Sequence, residues 1–203
     1  MTKRSAPLSA LLALFLFALA VPLAAAQSGS SSRDRIEQPE KVMEATGVKP
    51  GMVIGEVGAG HGYFTFWLAK GVGDSGKVYA NDIDRPALSA IERRRESEKV
   101  RNIETVLGSV EDPRFPPASL DMVFIVNAFH DLEKPVELLA NLLPALKAGA
   151  TVVIMDREQV RAADRHFLTR EQVEEIVGRS VFEIVRVETF LRYHNLYILK
   201  ARN

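Results

Sequence analysis

Glu56, Gly58, Gly60 and Gly62 stand as E-x-G-x-G-x-G within VIGEVGAGHGYFT, residues 53 to 65. Glycines at alternate positions, separated by Ala59 and His61, allow a sharp turn and let a ligand approach the main chain closely. A dinucleotide-type turn begun at Gly58 needs glycine at position 63, and the chain has Tyr63 there. Glu56 argues the same way, because its carboxylate would repel a diphosphate but attract an ammonium, directly or through water. The sign of the charge favours a zwitterionic, sulfonium-bearing ligand. Asp82, in VYANDID twenty residues after Gly62, can accept hydrogen bonds from both hydroxyls of a ribose. Asp84 stands closer to the next helix and is the better candidate for its cap. Ile83 would then lie against the adenine face.

A second group, Asn127, Ala128, Phe129, His130 and Asp131, ends an apolar run. Asn127 counts with the cofactor side. His130 is the side chain suited to taking a proton from a hydroxyl or amine near neutral pH, and Asp131 can tune it. Alternatively, Asp131 caps the helix leading into Pro135 while His130 lines a pocket wall; the spacing leaves both open. His61 and Tyr63 read as packing or lid residues. Asp156, Arg157, Arg165 and His166 follow a later apolar run and read either as orienting groups for a polar substrate or as solvated surface. His61, His130, His166 and His194 share no short ligand spacing, so no metal site is expected.

These groups need a scaffold that brings strand ends together. Apolar runs rich in Val and Ile alternate with stretches of helical period, the pattern of a parallel sheet with helical crossovers. Strands are predicted at Met52 to Val57, Lys77 to Asp82, Ile103 to Leu107, Leu120 to Val126 and Thr151 to Met155. A terminal antiparallel hairpin, Phe182 to Glu188 with Asn195 to Lys200, follows. Helices are predicted at Glu40 to Thr46, Tyr63 to Lys70, Arg85 to Glu96, Pro135 to Leu146 and Arg170 to Gly178, the last opened by a Thr169/Gln172 capping box. Both the glycine turn and His130 then fall at carboxyl ends of strands, where open α/β sheets bind ligands.

At 203 residues the chain accommodates one domain with a full core. Lys plus Arg and Asp plus Glu each count 26, so the excess positive charge that draws proteins to nucleic acid or anionic lipid is missing. With no cysteine, disulfides, thiolate nucleophiles and cysteine-ligated metals are excluded. Lys3 and Arg4 precede the apolar run Leu8 to Val21, followed by small residues through Ala26, the three parts of a secretory signal. That run is short for a spanning helix, which needs about 20 apolar residues. Residues 1 to 26 are expected to be removed, leaving no stable membrane association and a periplasmic or secreted protein. An uncleaved anchor is the alternative. A flexible tether, residues 27 to 32, precedes a domain expected to begin near Arg33.

Four segments in order, KPGMVIGEVGAGHGYFTFWLAK, GKVYANDID, SVEDPRFPPASLDMVFIVNAFHDL and LPALKAGATVVIMD, resemble class I S-adenosylmethionine-dependent methyltransferases, including small-molecule enzymes of the ubiquinone-biosynthesis type. The resemblance covers about Gln38 to Asp156. It implies a Rossmann-like α/β fold with helices on both faces of a seven-stranded, mostly parallel sheet of order 3-2-1-4-5-7-6, strand 7 antiparallel. It further implies that Gly58, Gly60 and Gly62 line the methionine end of S-adenosyl-L-methionine, that Asp82 holds ribose, and that Ser109 and Val110 meet the adenine edge. Relatives commonly carry Asp where this chain has Ser109, and a hydroxyl accepts from the adenine amino group more weakly than a carboxylate; Glu111 or Asp112 can substitute. The expected function is methyl transfer to a small-molecule acceptor by an exported enzyme. A non-catalytic cofactor-binding module of the same fold is the alternative, and a nicotinamide oxidoreductase, disfavoured by Tyr63 and Glu56, the third reading.

Overall fold

The structure is a computed structural model and describes residues 31–159 and 165–202. In chain order its elements are Ser32–Glu37 (α1), Pro39–Thr46 (α2), Val53–Val57 (β1), Tyr63–Val72 (α3), Lys77–Asp82 (β2), Arg85–Ser97 (α4), Ile103–Leu107 (β3), Leu120–Val126 (β4), Pro135–Leu142 (α5), Leu146–Arg157 (β5), Arg170–Gly178 (α6), Phe182–Glu188 (β6) and His194–Ala201 (β7). The strands form one sheet of order β3-β2-β1-β4-β5-β7-β6. The first five pair in parallel, and β7 runs antiparallel to both β5 and β6. This is the Rossmann-like order that the resemblance implies.

The apolar runs lack strict alternation because both faces of the sheet are covered. On one face Phe64, Leu68 and Val72 of α3 and Ile91 of α4 pack with Ile54, Val78, Phe124 and Met155. On the other, Leu138, Leu139 and Leu142 of α5 and Val173 and Val177 of α6 pack with Val57, Val123, Ile125 and Ile154. Val57 is level with Asn81 of β2 and Ile125 of β4, so the carboxyl ends of the three central strands form one edge.

Three expectations change. The helix expected over Pro135 to Leu146 ends at Leu142 and passes into a 3-10 turn, Leu143–Ala145. Pro144 has no N–H to continue the ladder, and Leu146 already pairs with Leu120 of the sheet. The strand expected at Thr151 to Met155 begins five residues earlier, its outer part lying in the exposed stretch around Lys147 and Gly149. Ser31 and Ser32, expected in the tether, stand instead at the start of α1, where Ser31 is the cap and forms a reciprocal capping box with Asp34. The expected leader, residues 1 to 26, lies outside the described residues, as does most of the tether. Among the described residues no helix is long and apolar enough to cross a membrane.

Candidate active site

The glycine turn leaves β1 with Gly58, Gly60 and Gly62 all at positive φ, +70°, +53° and +83°. Their reasons for being glycine differ. A Cβ on Gly58 would stand 2.5 Å from Cβ of Ala128, and one on Gly62 would stand 2.8 Å from Ile91, so these two are pressed against protein. A Cβ on Gly60 would meet nothing within 4 Å. Gly60 alone therefore turns a bare main chain toward open space, as a ligand cradle requires.

Asp82 is built into that cradle. Its Oδ2 accepts from the Gly60 N–H at 2.8 Å and its Oδ1 accepts from the Asp84 N–H at 2.9 Å, while Ala59 N–H donates to Asn81 O at 2.9 Å. A carboxylate has about four acceptor sites, so two remain for ribose hydroxyls. Asp84 occupies the cap position of α4 but makes no side-chain cap bond, contrary to expectation. Pro86 removes one of the two N–H groups such a cap would use. Ile83, next in the chain, is 58% exposed, an apolar side chain left in solvent where an adenine face would cover it.

Glu56 is fully buried and accepts from the Thr65 hydroxyl at 2.5 Å. Burial lifts its carboxyl to about 8; the Thr65 hydrogen bond and the Arg33 charge oppose the rise, and the Asp82 charge adds to it. The group is thus mostly protonated near pH 7.

The adenine side is committed locally. Ser109 Oγ accepts from the Asp112 N–H at 3.2 Å, and Ser109 N–H donates to Asp112 O at 2.8 Å. Asp112 Oδ1 accepts from the Arg114 N–H, and Glu111 pairs with Lys134, so each carboxylate named as a substitute for the missing Asp has its own partner here. Val110 sits half-buried between them.

Asn127 leaves β4 at φ +51°, a conformation Asn tolerates better than most residues. Its amide donates to Glu37 Oε1 at 3.1 Å. Tyr63 Oη donates to Asp34 Oδ1 at 2.7 Å, and the Arg33 guanidinium stacks 3.7 Å over the Tyr63 ring. Helix α1 is thereby tied to both the glycine turn and the end of β4. The buried Glu37 was invisible in sequence; the Ser31-x-x-Asp34 capping box was the signal for its helix.

His130 lies in a 3-10 turn, Phe129–Asp131, beyond β4. Its side chain is 4% exposed, and its Nδ1–H donates to Asp156 Oδ1 at 2.7 Å while its main-chain N–H donates to Asp156 Oδ2 at 2.9 Å. Nε2 is left facing Asp131 Oδ2 at 3.3 Å. The Asp156 hydrogen bond, then the charges of Asp156 and Asp131, hold the imidazolium above its ordinary range against the effect of burial. Asp131 does not cap α5, whose cap position is Lys134. Asp156 is not solvated surface but the buried orienting partner of His130, at the carboxyl end of the neighbouring strand. Of the other histidines, His61 is exposed, His166 packs against His130 with ring centroids 4.7 Å apart, and His194 is buried, its imidazole pushed down to about 4 by desolvation. A groove of about 1240 Å³ runs along α3 and the end of α4; Tyr63 and Asp34 line it, but Gly60, Asp82, Asn127, His130 and Asp156 do not.

A turn open at Gly60, an acid on its N–H, and an oriented imidazole on the next strand are set on one sheet edge. Residues 54–149 match the family described as a methyltransferase domain. The matched stretch carries the glycine turn, Asp82 and His130, and in it the chain is similar to methyltransferase domains. The chain is 26% identical over 129 residues to a demethylmenaquinone methyltransferase of a Geobacillus species, covering 64% of this chain and 55% of that protein. It is 32% identical over 138 residues to the tRNA (adenine(58)-N(1))-methyltransferase of Thermus thermophilus, covering 64% and 52%. The chain thus spans about half the length of the curated relatives it matches. Among solved structures, a SAM-dependent methyltransferase from Aquifex aeolicus superposes with a TM-score of 0.77 at 26% identity, over 83% of this chain and 92% of that one. These similarities indicate S-adenosylmethionine as the cofactor, and the open Gly60, the spare acceptors of Asp82 and the uncovered Ile83 fit it.

Proposed function

We propose that the protein transfers the methyl group of S-adenosylmethionine to a small-molecule acceptor bearing an ionisable hydroxyl. The observation that carries this reading is the His130 imidazole, oriented by Asp156 and aimed at Asp131, one strand from the glycine turn. The cofactor supplies a methyl group already activated by its sulfonium. An acceptor oxygen forms the new C–O bond as the C–S bond breaks, the bonding pair leaving with sulfur as a neutral thioether. His130 and Asp131 take the proton that the acceptor loses. Asp156 and the 3-10 turn hold the imidazole in place, so orientation is set before the acceptor arrives.

A small acceptor is favoured by the even balance of 26 basic and 26 acidic residues, which gives the chain no net positive charge to draw nucleic acid. The test is transfer of labelled methyl across a panel of phenols, catechols, quinols and tRNA. Label on a small hydroxyl compound is expected; label on tRNA alone would overturn the reading. A binding module without turnover is the second reading, favoured by Ser109, whose hydroxyl is spent on its own turn.

Cofactor binding should release a proton. With Glu56 lifted to about 8, the protein carries most of that proton at pH 7, and a neighbouring ammonium favours its loss. Affinity should therefore rise with pH between about 6 and 8, by up to about tenfold per unit, and level off above. Calorimetry in buffers of differing ionisation enthalpy at pH 7 should report between about half and one proton released, and none in Glu56→Gln. A wild-type release near zero would show that Glu56 does not sense the ligand. The same shift acts on stability with its own sign: the fold binds a proton that the unfolded chain has lost, so this contribution is full below about 4.5 and is lost as pH rises to about 8.

The leader-like start suggests that the enzyme works beyond the cytoplasmic membrane, after cleavage at Ala26. N-terminal sequencing of protein from its native host should begin at Gln27; a start at Met1 or Thr2 would contradict export with cleavage.

A further inference from the structure

His130 Nε2, an Asp131 carboxylate oxygen and an imidazole nitrogen of His166 lie within 4.8 Å of one another. With Nδ1–H given to Asp156, a neutral His130 presents a lone pair at Nε2, and that lone pair faces an Asp131 oxygen only 3.3 Å away. Two acceptors at that distance need a positive charge between them. A proton suffices for the pair but leaves His166 without a part, although its Nε2 stands 3.9 Å from the other Asp131 oxygen and its ring meets His130 edge-on at 78°. Two donors about 2.0 Å from a tetrahedral zinc ion are themselves about 3.3 Å apart. The His130–Asp131 pair already has that separation, and the exposed His166 supplies the third donor, its Nε2 3.9 Å from the carboxylate.

Metal-binding histidines almost always donate their second ring N–H to a carboxylate, which fixes the tautomer and strengthens the ligand. Asp156 does this for His130. Phe167, with its ring centroid 5.0 Å from that of His130 and 4.9 Å from that of His166, covers the donors on one side with apolar surface.

We propose that His130, Asp131 and His166 bind a divalent transition metal of the zinc type, on a two-imidazole, one-carboxylate donor set that leaves a coordination position for an oxygen of the acceptor. The role in methyl transfer rests on the function proposed above; the binding does not. With the lone pairs of His130 and Asp131 on the metal, a cation there would favour the deprotonated form of an acceptor hydroxyl by charge, the proton leaving to solvent water. The donors suit zinc, cobalt or iron better than magnesium, which prefers an all-oxygen shell.

The test is titration of chelator-treated full-length protein with zinc chloride by calorimetry, with cobalt as a visible-absorbing stand-in and magnesium as the counter-probe. One zinc per chain at micromolar or tighter affinity is expected, with no magnesium binding at that level. His166→Ala and Asp131→Asn, both at exposed side chains that the fold does not need, should each weaken zinc about 100-fold. Asp156→Asn should weaken it about 10- to 100-fold, and His61→Ala should change nothing. Absence of zinc binding, or binding retained in both His166→Ala and Asp131→Asn, would overturn the site. S-adenosylmethionine titrated into the same zinc-free protein keeps the two readings apart. Zinc bound without cofactor upholds the site and contradicts the methyltransferase reading, whereas cofactor bound without zinc overturns the site alone.

Discussion

Asp82→Ala is expected to weaken S-adenosylmethionine binding by about 1000-fold, because the substitution removes two kinds of bond at once. The first are the ribose hydrogen bonds to an ionised acceptor, each contributing about 1.5–3 kcal/mol. The second is the bond from the Gly60 N–H, at 2.8 Å, that holds the open point of the turn against β2. Asp82→Asn keeps one acceptor oxygen and should fall between the two. Asp84→Ala is the control: Asp84 is exposed, makes no side-chain cap bond, and meets Asp82 only through its main-chain N–H, which alanine retains. Calorimetric titration of the four proteins gives the comparison. Equal affinity in wild type and Asp82→Ala would remove Asp82 from the site.

His130→Ala should show the opposite division. The imidazole touches Asp156, Asp131, His166 and Phe167 and none of the glycine-turn residues, so cofactor affinity should change less than about threefold, while kcat with a hydroxyl acceptor should fall by about 10²- to 10⁴-fold, the usual range for losing a proton acceptor. Part of any loss comes from Asp156, left buried with two of its three donors, the main-chain N–H groups of His130 and Arg157. Asp156→Asn separates the contributions, since it keeps the volume but offers Nδ1 a weaker partner; its kcat should lie between wild type and His130→Ala with KM for the cofactor unchanged. Single-turnover methyl transfer at saturating cofactor is the measurement. Loss of cofactor binding in His130→Ala would place His130 on the wrong side of the reaction.

Short apolar strands, at the sheet's edges as well as in its centre, are the part of this fold most legible in sequence. Lys77–Asp82, Ile103–Leu107, Leu120–Val126 and Phe182–Glu188 are bounded by turn residues and carry enough Val, Ile and Phe to be read residue by residue. The solvent-side start of β5 is not legible, because Lys147 and Gly149 look like a loop until Leu146 is seen paired with Leu120. Helix α1 is hidden for a related reason: six residues carry too little periodicity, and only the Ser31/Asp34 capping box marks them. The same division holds in the site. Glu56, the three glycines and Asp82 lie within one strand-turn-helix-strand unit, where spacing along the chain is nearly spacing in the fold. The partnership of His130 with Asp156 spans 26 residues and exists only because β4 and β5 are neighbours in parallel register. His166 reaches the same place from the segment after β5, so a search for short ligand spacings could not have found a cluster assembled across two strand ends.

The central claim is that the turn from Glu56 to Gly62, with Asp82, holds S-adenosylmethionine. Calorimetric titration with S-adenosylmethionine, S-adenosylhomocysteine and NAD tests it most directly. Both sulfur ligands are expected to bind at one site per chain with micromolar affinity, and NAD, whose dinucleotide turn needs a glycine where this chain has Tyr63, is expected not to bind at millimolar concentration. Failure of both sulfur ligands to bind below millimolar, or NAD binding more tightly than either, would contradict the account.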